Sequence, residues 1–123
     1  MKKVFLIDDD PIMCELMKKK LGARDIKMDF VSSIPHLYRK KGIEDTDLFL
    51  VDYDLYDGTG VEVIEYLGER FPDTDVMMIS STDRGCETAA SFPNFKGFIT
   101  KWQNLDEIVH DIIHNPSSVT EAA

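Results

Sequence analysis

Five short apolar runs punctuate the chain, and between them apolar residues recur at the three- and four-residue spacing of helices. The runs are "KVFLI" (3–7), "KMDFVSS" (27–33), "DLFLVDY" (47–53), "DVMMIS" (75–80) and "GFIT" (97–100). Each is rich in branched or aromatic residues, and the third is apolar on both alternating faces, as in a strand buried on two sides. A first helix is predicted from Pro11 to about Gly22, capped by Asp10. Its apolar positions are Ile12 and Leu16 in line with Lys20, with Met13, Met17 and Leu21 beside them. A short second helix over 34–42 has Ile34, Leu37 and Tyr38 apolar and Gly42 as its stop. A third, over 60–71, presents Val61, Ile64, Leu67 and Phe71 and ends before Pro72. Residues 81–95 include Gly85 and Pro93, so any fourth helix there is short or irregular. In the last helix, Asn104 and Glu107 resemble a capping box. Leu105, Ile108, Val109 and Ile112 make its apolar stripe, and Asn115 and Pro116 end it.

Strands alternating with helices imply a parallel sheet covered on both faces. The expected architecture is α/β, a five-stranded parallel sheet in the doubly wound, flavodoxin-like (βα)5 arrangement with strand order 2-1-3-4-5. One domain, 1–115, is expected, with 116–123 a polar tail or the start of a linker. Nothing in the 123 residues approaches the roughly 20 apolar residues of a membrane span. The lysines at the amino terminus lead into only a short apolar run, unlike a secretory leader. Cys14 and Cys86 lack metal-like spacing and are expected to be reduced packing residues. A cytoplasmic protein is the expectation.

Charge narrows the function. With 23 acids against 14 bases the formal net charge is −9. Such a surface repels phosphate backbones, so direct nucleic-acid binding is not expected. The placement of the acids is more informative. In this strand order the ligand crevice lies at the carboxyl ends of strands 1 and 3. Asp8 and Asp9 end the first, and Asp52 ends the third. Ser80 and Ser81 end the fourth, and Lys101 follows the fifth. Three converging carboxylates repel one another, and a hard divalent cation removes that cost. Mg²⁺ fits, because it takes one or two carboxylates and keeps water and phosphate oxygens as its other ligands. A hydroxyl and a lysine opposite would complete a cradle for a phosphoryl group, and a central carboxylate can attack phosphorus.

These motifs resemble the receiver domain of two-component response regulators. The resemblance rests on "LIDDDP", on "VDYDLYDGTG" with Gly60 eight residues after Asp52, on "MMIS" and on "GFITK", and covers about residues 2 to 115. It implies that Asp52 is the phosphoacceptor and that Asp9 binds Mg²⁺ directly. Asp8 would act largely through metal-bound water, and the backbone carbonyl of Asp54 would be a further ligand. Ser80 would be the switch hydroxyl, Lys101 the lysine that pairs with the phosphoryl group, and Phe98 the switch aromatic. The implied partners are a histidine kinase or histidine phosphotransfer protein, and a downstream protein or output domain. Such a domain catalyses only its own phosphoryl transfer and dephosphorylation. The sequence departs from the pattern at Tyr56 and Trp102, where proline is usual, and in the weak segment 81–95. A cis peptide before Trp102 is not expected, since for a non-proline residue it costs about 2.5–4 kcal/mol. Asp54, Tyr56 and Thr82 stand where side chains modulate phosphoryl lifetime.

Three other readings compete. A calcium loop counted from Asp52 meets Tyr56, Asp57 and Val63 where it needs an acid, glycine and glutamate. "FLVDYDLYDGT" is similar to the Asp-x-Asp motif of haloacid dehalogenase phosphatases. There the motif lies on the first strand of a larger chain; here it lies on the third. A receiver-like interaction module that signals without phosphorylation draws support from Tyr56, Trp102 and 81–95. The three histidines, His36, His110 and His114, read as helix-surface residues without a role.

Overall fold

In a computed structural model, the structure describes residues 2–55, 58–80, 89–100 and 104–114. The elements, in chain order, are β1 (Lys2–Ile7), α1 (Pro11–Gly22), β2 (Ile26–Val31), α2 (Ile34–Arg39) and β3 (Leu48–Asp52). There follow β4 (Asp54–Leu55), β5 (Gly58–Thr59), α3 (Gly60–Arg70), β6 (Asp75–Ser80), β7 (Phe95–Thr100) and α4 (Leu105–His114). The main sheet is five-stranded and parallel, in the order β2-β1-β3-β6-β7. Because β4 and β5 pair only with each other, β6 and β7 are its fourth and fifth strands. The order is the predicted 2-1-3-4-5.

Strand alternation sorts the core into two layers. Val4, Leu6, Leu48, Leu50, Met77 and Ile79 meet α1 and α4, through Cys14, Met17, Leu21, Leu105, Val109, Ile112 and Ile113. Phe5, Ile7, Phe49, Val51, Val76 and Met78 meet α2 and α3, through Ile34, Leu37, Val63, Ile64 and Leu67. Each fully buried side chain of this kind contributes roughly 1.5–3 kcal/mol.

The expected boundaries move for local reasons. β2 stops at Val31 rather than 33 because Ser33 caps α2, its hydroxyl accepting from the His36 N–H at 3.2 Å. Pro35 then occupies the first turn, and α2 ends at Arg39, short of Gly42. Asp10 caps α1 as expected, accepting from the Met13 N–H at 3.2 Å. Of the two apolar sets read on α1, the one with Met17 and Leu21 is buried. Cys14, Met17 and Leu21 point inward, while Ile12 and Leu16 are 79% and 42% exposed. Two apolar stripes on one helix compete for the core, and the sheet's position selects between them. In α3 the inward set is Val63, Ile64 and Leu67; Val61 stands at the margin. In α4, Ile113 replaces Ile108 in the buried set. Asn104 sits at φ 52, in the left-handed region that asparagine tolerates, not in the extended conformation of a side-chain cap. Of 81–95, residues 81–88, including Gly85 and Cys86, lie outside the described residues. From Ala89 the chain turns twice, through Phe92 N–H to Ala89 C=O (3.0 Å) and Phe95 N–H to Phe92 C=O (3.2 Å). It enters β7 two residues before the predicted start.

Candidate functional site

The register of the sheet assembles the acids. Ile7 of β1 is level with Val51 of β3, so Asp8 and Asp52, each one residue further on, leave adjacent strands at the same height. Asp52 is in turn level with Ile79 of β6, one residue before Ser80. The carboxyl ends of three neighbouring strands therefore share one rim. One carboxylate oxygen from each of Asp8, Asp9 and Asp52 lies within 4.8 Å of the others. Asp8 is fully buried, Asp52 is 2% exposed, and Asp9 faces solvent.

The two buried carboxylates are held alike. Asp8 Oδ1 accepts from the Asp10 N–H at 2.9 Å, and Asp52 Oδ1 accepts from the Asp54 N–H at 3.2 Å. In both, a backbone amide two residues ahead fixes the side chain. The Asp8 N–H donates to the Val31 carbonyl at 3.2 Å, and the Tyr53 N–H to the Ile79 carbonyl at 3.1 Å, so backbone bonds continue just past the strand ends.

Like charges at this spacing are costly. At an effective dielectric near 20, two unit charges about 4.8 Å apart repel by about 3.5 kcal/mol. The donor set is all oxygen, compact and open to solvent at Asp9. That chemistry fits a hard cation such as Mg²⁺, which keeps waters or phosphate oxygens in its remaining positions. Among the described residues, Asp8, Asp9 and Asp52 are the side chains able to hold it.

The stretch after Asp52 forms a structure that sequence reasoning missed. Asp54–Leu55 and Gly58–Thr59 pair as a two-stranded antiparallel hairpin, with Asp54 opposite Thr59 and Leu55 opposite Gly58. Leu55 anchors it in the α2–α3 layer, and Asp54 is exposed. The hairpin closes where the Gly60 N–H donates to the Tyr53 carbonyl at 2.8 Å. A Cβ on Gly60 would stand 2.6 Å from the Asp52 carbonyl oxygen and 2.9 Å from Tyr53 Cα. Gly60 is thus required for space against the backbone of Asp52, and φ is not the reason. The spacing of eight residues from aspartate to glycine carried that signal.

Ser80 is buried at the end of β6, paired with Thr100 of β7. Phe98 is half-buried and level with Met78, two residues before Thr100. Lys101, Trp102, Tyr56 and Thr82 lie outside the described residues, as does the tail after His114. Cys14 is buried, its Sγ 3.6 Å from the Asp8 carbonyl oxygen, beneath the rim.

Comparison with known proteins agrees with this layout. A model of the response regulator receiver domain matches residues 4–113. The response regulator protein PilR of Pseudomonas aeruginosa is 30% identical over 80 residues, which is 65% of this chain and 18% of PilR. The chain thus spans under a fifth of that relative. Among solved structures, the response regulator TrrA from Thermotoga maritima, in complex with Mg²⁺–BeF, superposes with a TM-score of 0.76 at 19% identity. That match covers 91% of this chain and 96% of TrrA. A Burkholderia pseudomallei response regulator with a phosphorylated aspartic acid, calcium ion and citrate gives a TM-score of 0.82 at 18% identity. It covers 99% of this chain and 72% of that one. At such identities the likeness is one of fold.

Proposed function

Because the chain belongs to the response regulator receiver domain family, we propose that Asp52 is the carboxylate on which it accepts a phosphoryl group. The protein is a phosphoaccepting domain of two-component signalling, and its chemistry is confined to its own phosphorylation and dephosphorylation. The observation that carries the assignment to Asp52 is the convergence of the three acids within 4.8 Å at the end of the central strand. On this reading an Asp52 oxygen attacks the phosphorus of a phosphohistidine donor. The new O–P bond forms as the P–N bond breaks, and the departing imidazole nitrogen takes a proton. Water later attacks the acyl phosphate and returns Asp52 and inorganic phosphate.

Asp8, Asp9 and Asp52, with the Asp54 backbone carbonyl, would hold Mg²⁺. When bound, the ion neutralises the acid cluster and the charge on the transferring phosphoryl oxygens. The Mg²⁺–BeF complex of TrrA supports this cofactor, and the calcium ion of the Burkholderia regulator is a hard divalent cation of the same class. Ser80, at the end of β6, and Lys101 would answer the added charge, and Phe98 would follow as the switch aromatic. By the family's pattern, Asp54, Tyr56 and Thr82 would modulate the phosphoryl lifetime. The receiver unit is taken as 1–115.

Family membership implies a histidine kinase or phosphotransfer protein as the donor. We place its docking surface on α1, which begins beside Asp9 and exposes Ile12 and Leu16. A downstream protein or output domain would read the switched face. No helix among the described residues is long and apolar enough to cross a membrane. On this reading the transfer takes place in the cytoplasm.

The test is phosphorylation by acetyl phosphate with Mg²⁺, read by intact mass and mapped by peptide. Wild type gains one phosphoryl group on Asp52, and Asp52→Ala gains none. Equal behaviour of the two proteins sinks the assignment and leaves an interaction module. Ile12→Asp separates docking from chemistry: it slows transfer from a phosphotransfer protein and leaves acetyl phosphate labelling intact.

A further inference from the structure

The last helix carries a histidine pair, separate from the acid rim. His110 and His114 stand one turn apart on α4, their ring centroids 4.5 Å apart and their planes inclined by 54°. Residues four apart share a helix face, and a helical histidine pair at this spacing is an arrangement that binds zinc. Neither ring is needed by the core. Val109, Ile112 and Ile113 supply the buried face, while His110 is half-exposed and His114 exposed. Asp111, between them, places its Oδ1 3.6 Å from His110 Nδ1. At that distance the carboxylate makes no hydrogen bond, but its negative charge favours a cation held at the ring pair.

We propose that His110 and His114 form a surface site for a borderline divalent transition-metal ion of the Zn²⁺, Ni²⁺ or Cu²⁺ class. Imidazole suits these ions, whereas Mg²⁺ prefers the oxygen-only rim, so the two sites select different metals. The net charge of −9 raises the local concentration of any cation. Two protein nitrogens leave the other coordination positions to water. An ion clamped across one turn binds only the folded helix and so stabilises the end of α4.

The experiment titrates Ni²⁺ into the whole chain with Mg²⁺ in excess to occupy the rim, followed by calorimetry and by NMR of the histidine rings. One ion is expected per chain, with both the His110 and His114 rings perturbed and the melting temperature raised. His110→Ala and His114→Ala each weaken binding by at least about tenfold. Asp111→Asn weakens it by a smaller factor. His36→Ala, on the exposed side of α2, changes nothing. Both histidines of the pair reach solvent, so the variants fold, and melts without metal verify it. Equal Ni²⁺ affinity in wild type and His114→Ala, or loss of binding in His36→Ala, overturns the site.

Discussion

The two ends of the sheet treat charge in opposite ways. At the amino end, acid meets base. Lys3 Nζ contacts Asp45 Oδ1 at 2.6 Å and the Gly42 carbonyl at 3.1 Å. The Lys3 N–H donates to Asp47 Oδ2, and the Asp47 N–H returns to the Lys3 carbonyl, both at 2.8 Å. At the carboxyl end, acid meets acid, with two of the three carboxylates buried. The first arrangement ties the loop before β3 to the sheet and needs no ligand to make sense. The second gathers like charges on one rim, an arrangement to which a cation or a chemical role gives a purpose. A site is recognised here by like charge that the fold concentrates at one place.

The sharpest way to break this contrast is at Gly60. Gly60→Ala forces a methyl group against the Asp52 carbonyl and is expected to destabilise by about 1–3 kcal/mol. It should also cut the rate of acetyl phosphate labelling, because the backbone of Asp52 must move. A variant that melts normally and labels at the wild-type rate would show the contact to be soft. The next effect has the opposite sign. Asp8→Asn keeps the acceptor for the Asp10 N–H but removes one charge, so without Mg²⁺ it should stabilise, by about 1–3 kcal/mol. The Mg²⁺-dependent rise in melting temperature should shrink in the same variant. Destabilisation without metal would mean that the cluster is not strained.

Smaller effects lie with the paired charges. Burial raises the Asp106 carboxyl, but the hydrogen bond from Arg24 Nε at 3.0 Å, a backbone hydrogen bond and the charges of Arg24 and Lys20 together outweigh it, leaving Asp106 below the usual carboxylate range. The unfolded chain therefore takes up this proton first as pH falls. The pair's contribution is complete above the ordinary carboxylate value and disappears as pH drops through the folded one. Asp106→Asn should flatten the acid limb of the stability profile below about pH 4, by less than about 1 kcal/mol. Smallest of all is the amino-end contact. Asp45, held below its ordinary value by the hydrogen bond from Lys3, lies in solvent. Asp45→Ala should leave urea unfolding within experimental error. A loss equal to that of Gly60→Ala would erase the distinction between the two ends.

Much of the site was legible because its residues sit at strand ends, where apolar runs stop abruptly. Asp8, Asp9, Asp52 and Ser80 each follow such a run, and the strand order then makes neighbours of residues far apart in sequence. Helix faces were less legible. In α1 the set Cys14, Met17 and Leu21 and the pair Ile12 and Leu16 have similar hydrophobicity, and periodicity alone does not rank them. The hairpin of β4 and β5 left no pattern, since two residues per strand are too few to alternate. Asn104 fits the composition of a cap, yet its backbone stands in the left-handed region.

By itself the sequence determined the alternation of strand and helix, the acidic rim and the order in which its members arrive. Local apolar runs and strand-end polar residues need no knowledge of distant partners. The tertiary structure alone decided which side of α1 is buried and how near the three carboxylates come. It also decided that Gly60 must lack a side chain because the Asp52 backbone lies against it. Those outcomes depend on register and packing between segments separated in the chain, and no local pattern encodes a distance.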